Sequence, residues 1–363
     1  MAERNNLYCI IMAGGIGSRF WPLSRTSRPK QFIDILGTGK SLLQQTFDRM
    51  EKICPVENIL IVTSTIYRDL VLEQLPKVTS EQILLEPMRR NTAPCIAYAT
   101  YKIQQTNPNA IAIVAPSDHL ILNEDKFVET VMEAVSFAEK TDALLTLGIK
   151  PSRPETGYGY IQIDKPVKGF TGLHKVKTFT EKPNLELAKV FMDSGEFFWN
   201  SGLFVWSINS ISKAFNDHLP EISSLFKDAA SSFGTHVENT IIEKTYSECR
   251  NISIDYGIME KADNVYVVCS EFGWSDLGTW GSLYTHVPTN NQGNASLSQN
   301  VKFYNTKNTL VSSSNSKMVV VQGLSDYIVV DTNDVLLICK MQDEQQIKNF
   351  VNDIQLEQGE NFS

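Results

Sequence analysis

Glycines and basic residues crowd the segment that follows the first apolar run, Leu7–Met12. Glycine has no Cβ, so the N–H groups of a glycine-rich turn can approach an anion closely, and nearby cations can neutralise phosphate charge. The turn itself is formed by Ala13, Gly14, Gly15 and Gly17, and the nearby cations are Arg19, Arg28 and Lys30. The pattern predicts a cradle for nucleotide phosphates, with an ordinary tight turn as the alternative. A dinucleotide-binding fingerprint would need a third glycine at position 20, which is Phe20, so the simple dehydrogenase interpretation is excluded.

Two aspartates follow predicted strands and could share a metal ion. Asp118 comes soon after the apolar run Ile111–Ala115, and Asp276 lies in a turn after Val265–Cys269. Open α/β sheets bind ligands at the carboxyl ends of their strands. Mg²⁺ prefers oxygen ligands and usually takes some of them from substrate phosphates. If the fold brings the two carboxylates together, they could share one such ion, and a helix N-cap is the alternative role of Asp118.

Two further polar segments could contact a ligand. In residues 86–94, Asn91 or Thr92 could cap the helix that follows or reach a ligand, and the residues leave both roles open. In residues 156–161 and 179–183, glycines permit close approach, Glu181 could accept hydrogen bonds from hydroxyl groups, and Lys182 could hold a phosphate. These segments could form a sugar pocket, although a Glu–Lys pair is also a common surface feature.

The elements that must position these residues alternate between strands and helices. Three short apolar runs, Leu7–Met12, Ile59–Val62 and Ile111–Ala115, are typical of central strands, and residues 41–52 and 126–140 show helical spacing. This order predicts an α/β domain with parallel strands and helices on both faces of the sheet. Alternating residues over 157–179 predict an antiparallel excursion within it.

The last part of the chain differs from the rest in its composition and in the spacing of its apolar residues. The polar stretch Pro288–Asn300 is interpreted as a linker, which predicts a catalytic domain over residues 1–290 and a small C-terminal domain over 291–363. Strands are expected over 308–312, 318–322, 327–331 and 335–339, followed by a helix over 343–353. Their even spacing predicts a small β-rich domain, consistent with a short β-helix, in which nothing converges on chemistry.

Composition narrows the class of protein. Of 363 residues 42% are hydrophobic and 20% charged, and the net charge is −8, so a phosphate site must be assembled locally rather than by a global basic field. The short apolar stretch near the N-terminus predicts neither a secretory signal nor a membrane span, so we expect a cytoplasmic protein with no membrane or nucleic-acid partner. Six scattered cysteines without a CxxC pair favour buried free thiols over a zinc site or disulfides.

The segment around the glycine-rich turn resembles a known signature. Residues 13–19, the WPLSR segment (21–25) and the PKQF segment (29–32) are similar to sugar-1-phosphate nucleotidylyltransferases, and in detail to the branch that makes guanosine diphosphate mannose. The resemblance covers about residues 7–290. It implies a GT-A-like, Rossmann-like core with a mixed central sheet, in which Arg19 holds the departing pyrophosphate and Lys30 stabilises charge on the phosphates.

The same resemblance implies roles around the nucleotide. Arg90, Asn91 and Thr92 lie in an RNTAP segment and are implied to contact the guanosine. Asp118 in the PSDH segment and Asp276 in the WSDLG segment are implied to hold Mg²⁺, with Asp118 also beside the nucleotide.

The resemblance further implies a sugar site. The implied sugar contacts are Gly157, Tyr158, Glu181, Asn200 and Asp255, with Lys182 on a phosphate. Thr180 stands where the family commonly has valine, a departure expected to face away from the chemistry. Helix capping is the competing role for Asp255.

Together these implications predict transfer of a nucleotidyl group from GTP to α-D-mannose 1-phosphate, giving GDP-mannose and pyrophosphate. The incoming phosphate is already ionised, so neither a general base nor a covalent enzyme intermediate is needed. The alternatives are a guanylyltransferase for another sugar 1-phosphate, such as a heptose or fucose, and a non-catalytic nucleotide-sugar sensor. We also expect a stand-alone transferase without a fused isomerase domain, and a homodimer is a further possibility.

Overall fold

The structure is a computed structural model that describes residues 4–313 and 317–362. The strands, in chain order, are β1 (Leu7–Met12), β2 (Ile59–Ser64), β3 (Ile83–Glu86), β4 (Ile111–Pro116), β5 (Leu120–Ile121), β6 (Leu144–Ile149), β7 (Gly159–Pro166), β8 (Leu173–Glu181), β9 (Phe197–Ser207), β10 (Val265–Ser270), β11 (Trp274–Ser275), β12 (Ala295–Ser296), β13 (Val301–Tyr304), β14 (Leu310–Ser313), β15 (Val319–Gln322), β16 (Tyr327–Asp331) and β17 (Leu336–Lys340). The α-helices are α1 (Leu42–Glu51), α2 (Arg68–Gln74), α3 (Thr92–Thr106), α4 (Glu124–Ala138), α5 (Leu185–Ser194), α6 (Ile208–His218), α7 (Pro220–Ala229), α8 (Glu238–Glu248), α9 (Trp280–Tyr284) and α10 (Ile347–Gln358).

The chain divides into two compact units that do not follow chain order. Among the described residues, the first unit contains residues 4–14, 46–117 and 121–274, and the second contains residues 15–45, 118–120, 275–313 and 317–362. The glycine-rich turn therefore belongs mostly to the same unit as the C-terminal β-rich region. The domain boundary at 290/291 stays a prediction.

A nine-stranded mixed sheet forms the first unit, in the order β3-β2-β1-β4-β9-β6-β10-β8-β7. Strand β1 pairs in parallel with β2 and β4, and β9 runs antiparallel to β4 and β6. The three apolar runs are central strands, as their composition predicted, because residues such as Ile10 and Val114 are fully buried against α3 and α6. The predicted antiparallel excursion is the hairpin β7–β8 at the edge of this same sheet.

Side-chain caps fix where the helices begin. The Asn123 side chain accepts a hydrogen bond from the Lys126 N–H (3.0 Å) at the start of α4, and the Ser207 hydroxyl accepts from the Ser210 N–H at the start of α6. The predicted helices over 41–52 and 126–140 are observed as α1 and α4, each within about two residues of the expected ends.

The second unit contains the β-coils, which we define as strands β12–β17. Strands β12, β14 and β16 pair in parallel along one side, β13 pairs in parallel with β15, and β17 closes the structure antiparallel to β16. Parallel pairing of short strands at regular chain spacing is the geometry of a short β-helix, so that fold prediction is confirmed.

The linker interpretation of Pro288–Asn300 is wrong for part of that segment. Strand β12 lies within it, and Asn294 is buried, with its side-chain amide donating to the Thr306 carbonyl (2.7 Å) and its oxygen accepting from the Thr309 N–H (3.2 Å). A polar side chain that hydrogen-bonds the backbone of the next coil looks, in sequence, like a loop residue. This part of the polar stretch is therefore an ordered rung of the β-coils.

Candidate functional site

We define the phosphate loop as residues 15–32, the part of the glycine-rich segment that lies in the second unit. Gly17 has a φ of 67°, and a Cβ at that position would collide with the side chain of Lys30. The Lys30 N–H donates to the Ile16 carbonyl (3.3 Å). Glycine at position 17 is thus required by both its conformation and the close packing of Lys30 against it. Arg19 follows in a short 3₁₀ turn and is exposed.

Lys30 joins the two aspartates that the sequence suggested as metal ligands. Its ammonium, on a side chain that is only 3% exposed, lies 2.9 Å from the Asp118 carboxylate and donates to the carbonyl oxygens of Asp276 (2.7 Å) and Leu277 (2.9 Å). Burial is the largest single influence on the pKa of Asp118 and would raise it, but the charges of Lys30 and His119, together with the hydrogen bonds from Lys30 and from the Asp118 backbone, hold that pKa below its usual value. One buried ammonium therefore contacts the Asp118 carboxylate and the Asp276 backbone, and we call Lys30, Asp118 and Asp276 the lysine cluster.

The donor set of the lysine cluster fits a hard divalent cation. The Asp276 carboxylate accepts from the Gly278 N–H (2.9 Å), so its orientation is fixed by its own turn. Among the described residues no group of three His, Cys, Asp or Glu side chains is arranged to hold a metal. Mg²⁺ often binds through one or two carboxylates and completes its coordination with water and substrate phosphates. Two aspartates beside a phosphate loop match that mode of binding.

The RNTAP segment makes structural contacts throughout. Asn91, with a φ of 67°, caps α3 by accepting from the Thr92 N–H (2.9 Å), and the Thr92 hydroxyl accepts from the Ile254 N–H (2.9 Å). The Arg90 guanidinium donates to the carbonyls of Tyr246 (3.0 Å) and Ser247 (3.3 Å) at the end of α8. The capping role that the residues allowed is therefore present, and their nucleotide contacts stay a prediction.

Glu86 is a site candidate that sequence reasoning missed. It ends β3, is buried, and receives a hydrogen bond from the Tyr246 hydroxyl (3.2 Å). Gly14 lies so close that a Cβ there would come within 2.9 Å of the carboxylate, while Ala13 at the end of β1 accepts from the Thr63 hydroxyl (2.9 Å). Burial raises the pKa of Glu86 to about 7. The only sequence signal was an acidic residue ending an apolar strand just before RNTAP.

A second group of predicted residues comes together in the first unit, which we call the acid cluster. The Asp255 carboxylate accepts from the Asn200 amide (2.8 Å), and the Asn200 oxygen accepts from the Thr146 hydroxyl (2.9 Å). Glu181 pairs with the adjacent Lys182. Burial and then the charge of Glu181 raise the pKa of Asp255 to about 6. Asp255 starts a π-helix, Asp255–Met259, a rare form that is frequent at functional sites.

Tyr158 lies beside this cluster in an aromatic group. Its ring centroid is 5.2 Å from that of Trp199 and 5.2 Å from that of Trp274, both in edge-on orientation. The Lys182 N–H donates to the Tyr158 carbonyl (3.2 Å), and the Gly157 N–H donates to the Glu155 carboxylate (3.0 Å). The loop that carries Gly157 and Tyr158 is therefore tied to the strand end that carries Lys182.

Comparison with known protein families identifies the family to which the chain belongs. Residues 8–292 match the family described as "Nucleotidyl transferase", so the chain belongs to that family. Residues 300–354 match the "MannoseP isomerase/GMP-like beta-helix domain", which agrees with the parallel β-coils. No helix within the described residues has the length and apolar character needed to cross a membrane.

Individual proteins with similar sequences or structures have more specific names than the family. A mannose-1-phosphate guanylyltransferase of Escherichia coli is 33% identical over 356 residues, covering 96% of this chain and 75% of that protein. One from Salmonella montevideo is 37% identical over 355 residues, covering 96% and 74%. A solved structure from Thermus thermophilus, described as a mannose-1-phosphate geranyltransferase, is 28% identical with a TM-score of 0.87 and covers 96% of this chain and 99% of that one. The nucleotidyltransferase fold with a C-terminal β domain, expected from the sequence, is confirmed.

Proposed function

We propose that this chain transfers a guanylyl group from GTP to α-D-mannose 1-phosphate, forming GDP-mannose and pyrophosphate. The class of reaction is supported by family membership and, within the structure, by the lysine cluster, in which one buried ammonium contacts both Asp118 and Asp276. The substrates are supported by the names of the similar proteins. The lysine cluster is the single observation that carries the chemistry.

The reaction needs charge compensation more than proton transfer. An oxygen of the sugar phosphate attacks the α-phosphorus of GTP, a new P–O bond forms, and the bond from the α-phosphorus to the β-phosphate oxygen breaks to release pyrophosphate. The attacking oxygen is already ionised, so the protein has to align two polyanions that repel each other. Arg19, Lys30 and Lys182 are each assigned to neutralise phosphate charge.

A divalent cation belongs to this site. Nucleotidyltransferases of this family generally use one, and we assign it as Mg²⁺ held by Asp118 and Asp276. The ion would supply positive charge to the phosphates that react and leave. Lys30 fixes the orientation of the Asp118 carboxylate at 2.9 Å and holds the Asp276 backbone beside it, so both aspartates are positioned before the nucleotide arrives.

Glu86 supports guanine as the base. A carboxylate accepts two hydrogen bonds, and guanine presents two neighbouring donors, N1–H and the N2 amino group, on its Watson–Crick edge. A buried carboxylate beside Gly14 can pair with both, whereas adenine has no donor at N1. Arg90, Asn91 and Thr92 then act by shaping the entry to α3 that follows Glu86.

The acid cluster supports a sugar with several hydroxyl groups. Asp255 and Glu181 are acceptors, and Asn200 is locked by Thr146 so that its amide faces Asp255. Hydroxyl groups donate readily to such acceptors, and Tyr158 offers an aromatic face for the ring. Lys182 lies next to Glu181, where it can reach the phosphate of the same sugar.

A substrate panel tests the proposal. Pyrophosphate release is measured with GTP, ATP, UTP and dTTP, each combined with the 1-phosphates of mannose, glucose, fucose and a heptose, with Mg²⁺ or with EDTA. We expect release to be fastest with GTP and mannose 1-phosphate and to be abolished by EDTA. Faster release with another sugar would reassign the acceptor, and no release with any pair would favour a non-catalytic sensor. Sedimentation of the same preparation measures whether the chain forms a homodimer.

A further inference from the structure

The phosphate loop has its hydrophobic anchor in the β-coils. Phe20 and Trp21 are buried, and they belong to one apolar cluster with residues of the β-coils and α10, namely Leu310, Ile328, Val330, Leu337, Ile347 and Val351. The ring of Phe20 lies 5.0 Å from that of Trp280. The C-terminal region, in which the sequence showed no chemistry, therefore provides the core on which the proposed phosphate-binding residues rest.

Hydrogen bonds and one ion pair also connect the phosphate loop to the C-terminal region. The Arg25 guanidinium forms an ion pair with Asp334 (2.8 Å), which lies between β16 and β17. The Trp21 indole donates to the Phe362 carbonyl (2.6 Å), and the Trp280 indole donates to the Trp21 carbonyl (3.3 Å). Residues separated by more than 300 positions in sequence thus meet at the loop.

A short chain of bonds leads from the ion pair to the catalytic residues. The same Arg25 side chain donates to the Pro22 carbonyl (2.7 Å), and the neighbouring Ser24 hydroxyl donates to the Gly17 carbonyl (2.6 Å). Gly17 in turn begins the turn that carries Arg19 and packs against Lys30. A shift of Arg25 would therefore be transmitted to the residues that face the phosphates.

We infer that the β-coils hold the phosphate loop in its reactive geometry, and that Asp334 is a positioning residue that acts through Arg25. The inference rests on the proposed function, since it concerns that site's own reaction. Asp334 is 44% exposed, so its ion pair with Arg25 contributes little to global stability. Its contribution is to geometry, because displacement of a positioning group lowers turnover even when the fold is intact.

The test compares Asp334→Asn with a matched control in the β-coils. Lys317→Gln breaks another ion pair of the β-coils, Lys317 with Asp331 (3.1 Å), that involves no residue of the phosphate loop. We expect Asp334→Asn to lower kcat roughly tenfold, on the scale of a misplaced positioning group, and to leave the KM for mannose 1-phosphate within about twofold. Lys317→Gln should keep the kcat of the wild type. Both variants should melt within about 2 °C of the wild type, as surface substitutions usually do.

Two further measurements separate positioning from a general structural role. In the double variant Arg25→Asp/Asp334→Arg, the restored ion pair should recover most of the kcat that Arg25→Asp alone loses. Amide hydrogen exchange over residues 15–25, measured without substrate, should be faster in Asp334→Asn than in Lys317→Gln. If Asp334→Asn matches the control in kcat and in exchange, or if the double variant is no better than Arg25→Asp, the inference is overturned. A wild-type chain that releases no pyrophosphate would instead overturn the proposed function, and the exchange experiment would still test the anchoring of the loop.

Discussion

The lysine cluster and the acid cluster handle charge in opposite ways. In the lysine cluster a buried ammonium compensates Asp118, and the pKa of that carboxyl group is lowered. In the acid cluster Asp255 is paired with a neutral amide and faces Glu181, and its pKa is raised to about 6. The difference matches what each cluster is proposed to bind: polyanionic phosphates with a cation in one case, neutral hydroxyl groups in the other. Acceptors for hydroxyl groups do not require a cation, whereas phosphate sites do, and Lys182, which pairs with Glu181, is assigned to the phosphate of the sugar.

Replacing Lys30 should break the lysine cluster most severely. Lys30→Met removes the ammonium from Asp118 and from the Asp276 carbonyl, and we expect kcat/KM to fall by about 10³, the upper range for a lost preorganised electrostatic contact. Lys126→Met is the matched control, since Lys126 pairs only with Glu129 on an exposed helix face in the structure described. Equal activity of the two variants would remove Lys30 from the mechanism.

Lys182 tests whether the acid cluster also carries a catalytic cation. The Lys182 side chain is 58% exposed, so Lys182→Ala should leave stability nearly unchanged while kcat/KM falls by about 10² or more. The exposed Lys189 of α5 provides the control substitution, Lys189→Ala, for general loss of charge. Near-normal kinetics of Lys182→Ala would refute its role.

The raised pKa of Glu86 can be tested through the pH dependence of the free energy of unfolding. Its pKa of about 7 in the folded chain lies above the ordinary value of 4.5, so the folded chain keeps a proton that the unfolded chain releases between those pH values. The stabilising effect of this proton is present below pH 4.5 and is lost as pH rises through 7. Relative to the wild type, Glu86→Gln should therefore gain up to about 3 kcal/mol in free energy of unfolding between pH 4.5 and pH 8.

Chemical denaturation of both proteins across that pH range measures the gain. A difference in stability that does not change with pH would contradict the assigned pKa. In parallel, Glu86→Gln should weaken the use of GTP, because the amide replaces one of the two acceptor oxygens with a donor nitrogen that would face a donor of guanine.

The smallest expected effect comes from Asp255, whose ionisation should make kcat/KM for mannose 1-phosphate depend on pH. A protonated carboxyl group loses one acceptor site, so kcat/KM for mannose 1-phosphate should fall up to about tenfold for each pH unit below 6. The sugar phosphate itself titrates near that pH. The ratio of wild type to Asp255→Asn, measured from pH 5 to pH 8, cancels the contribution of the substrate. A ratio that is flat with pH would show that ionisation of Asp255 does not matter.

The sequence predicted those parts of the molecule that local pattern determines. The predicted bounds of β1 agree with the observed ones, because a strand that is buried on both faces has a continuous apolar sequence. The β-coil strands were recognised from their spacing, but the rung at Asn294 was taken for a linker because its buried amides serve the backbone. Glu86 was missed because a single acidic residue after a strand has no distinguishing spacing.

Contacts between distant segments could not be read from the sequence. Arg25 and Asp334 are each unremarkable in their own segment, and only the folded second unit brings them together. Similarly, the motifs suggested Asp118 and Asp276 as partners, but the buried ammonium of Lys30 that joins them depends on the packing of the loop. The placement of charge, more than the identity of the motifs, is what the structure adds.

Binding of Mn²⁺ to the complex of this chain with GTP, followed by electron paramagnetic resonance, tests the central claim that the lysine cluster holds the cation used with the phosphates. We predict that the wild-type complex binds Mn²⁺ more tightly than free GTP does, and that Asp118→Asn and Asp276→Asn each weaken this binding. If both variants retain GTP and bind Mn²⁺ as tightly as the wild type, the two aspartates do not hold the metal and the account is contradicted.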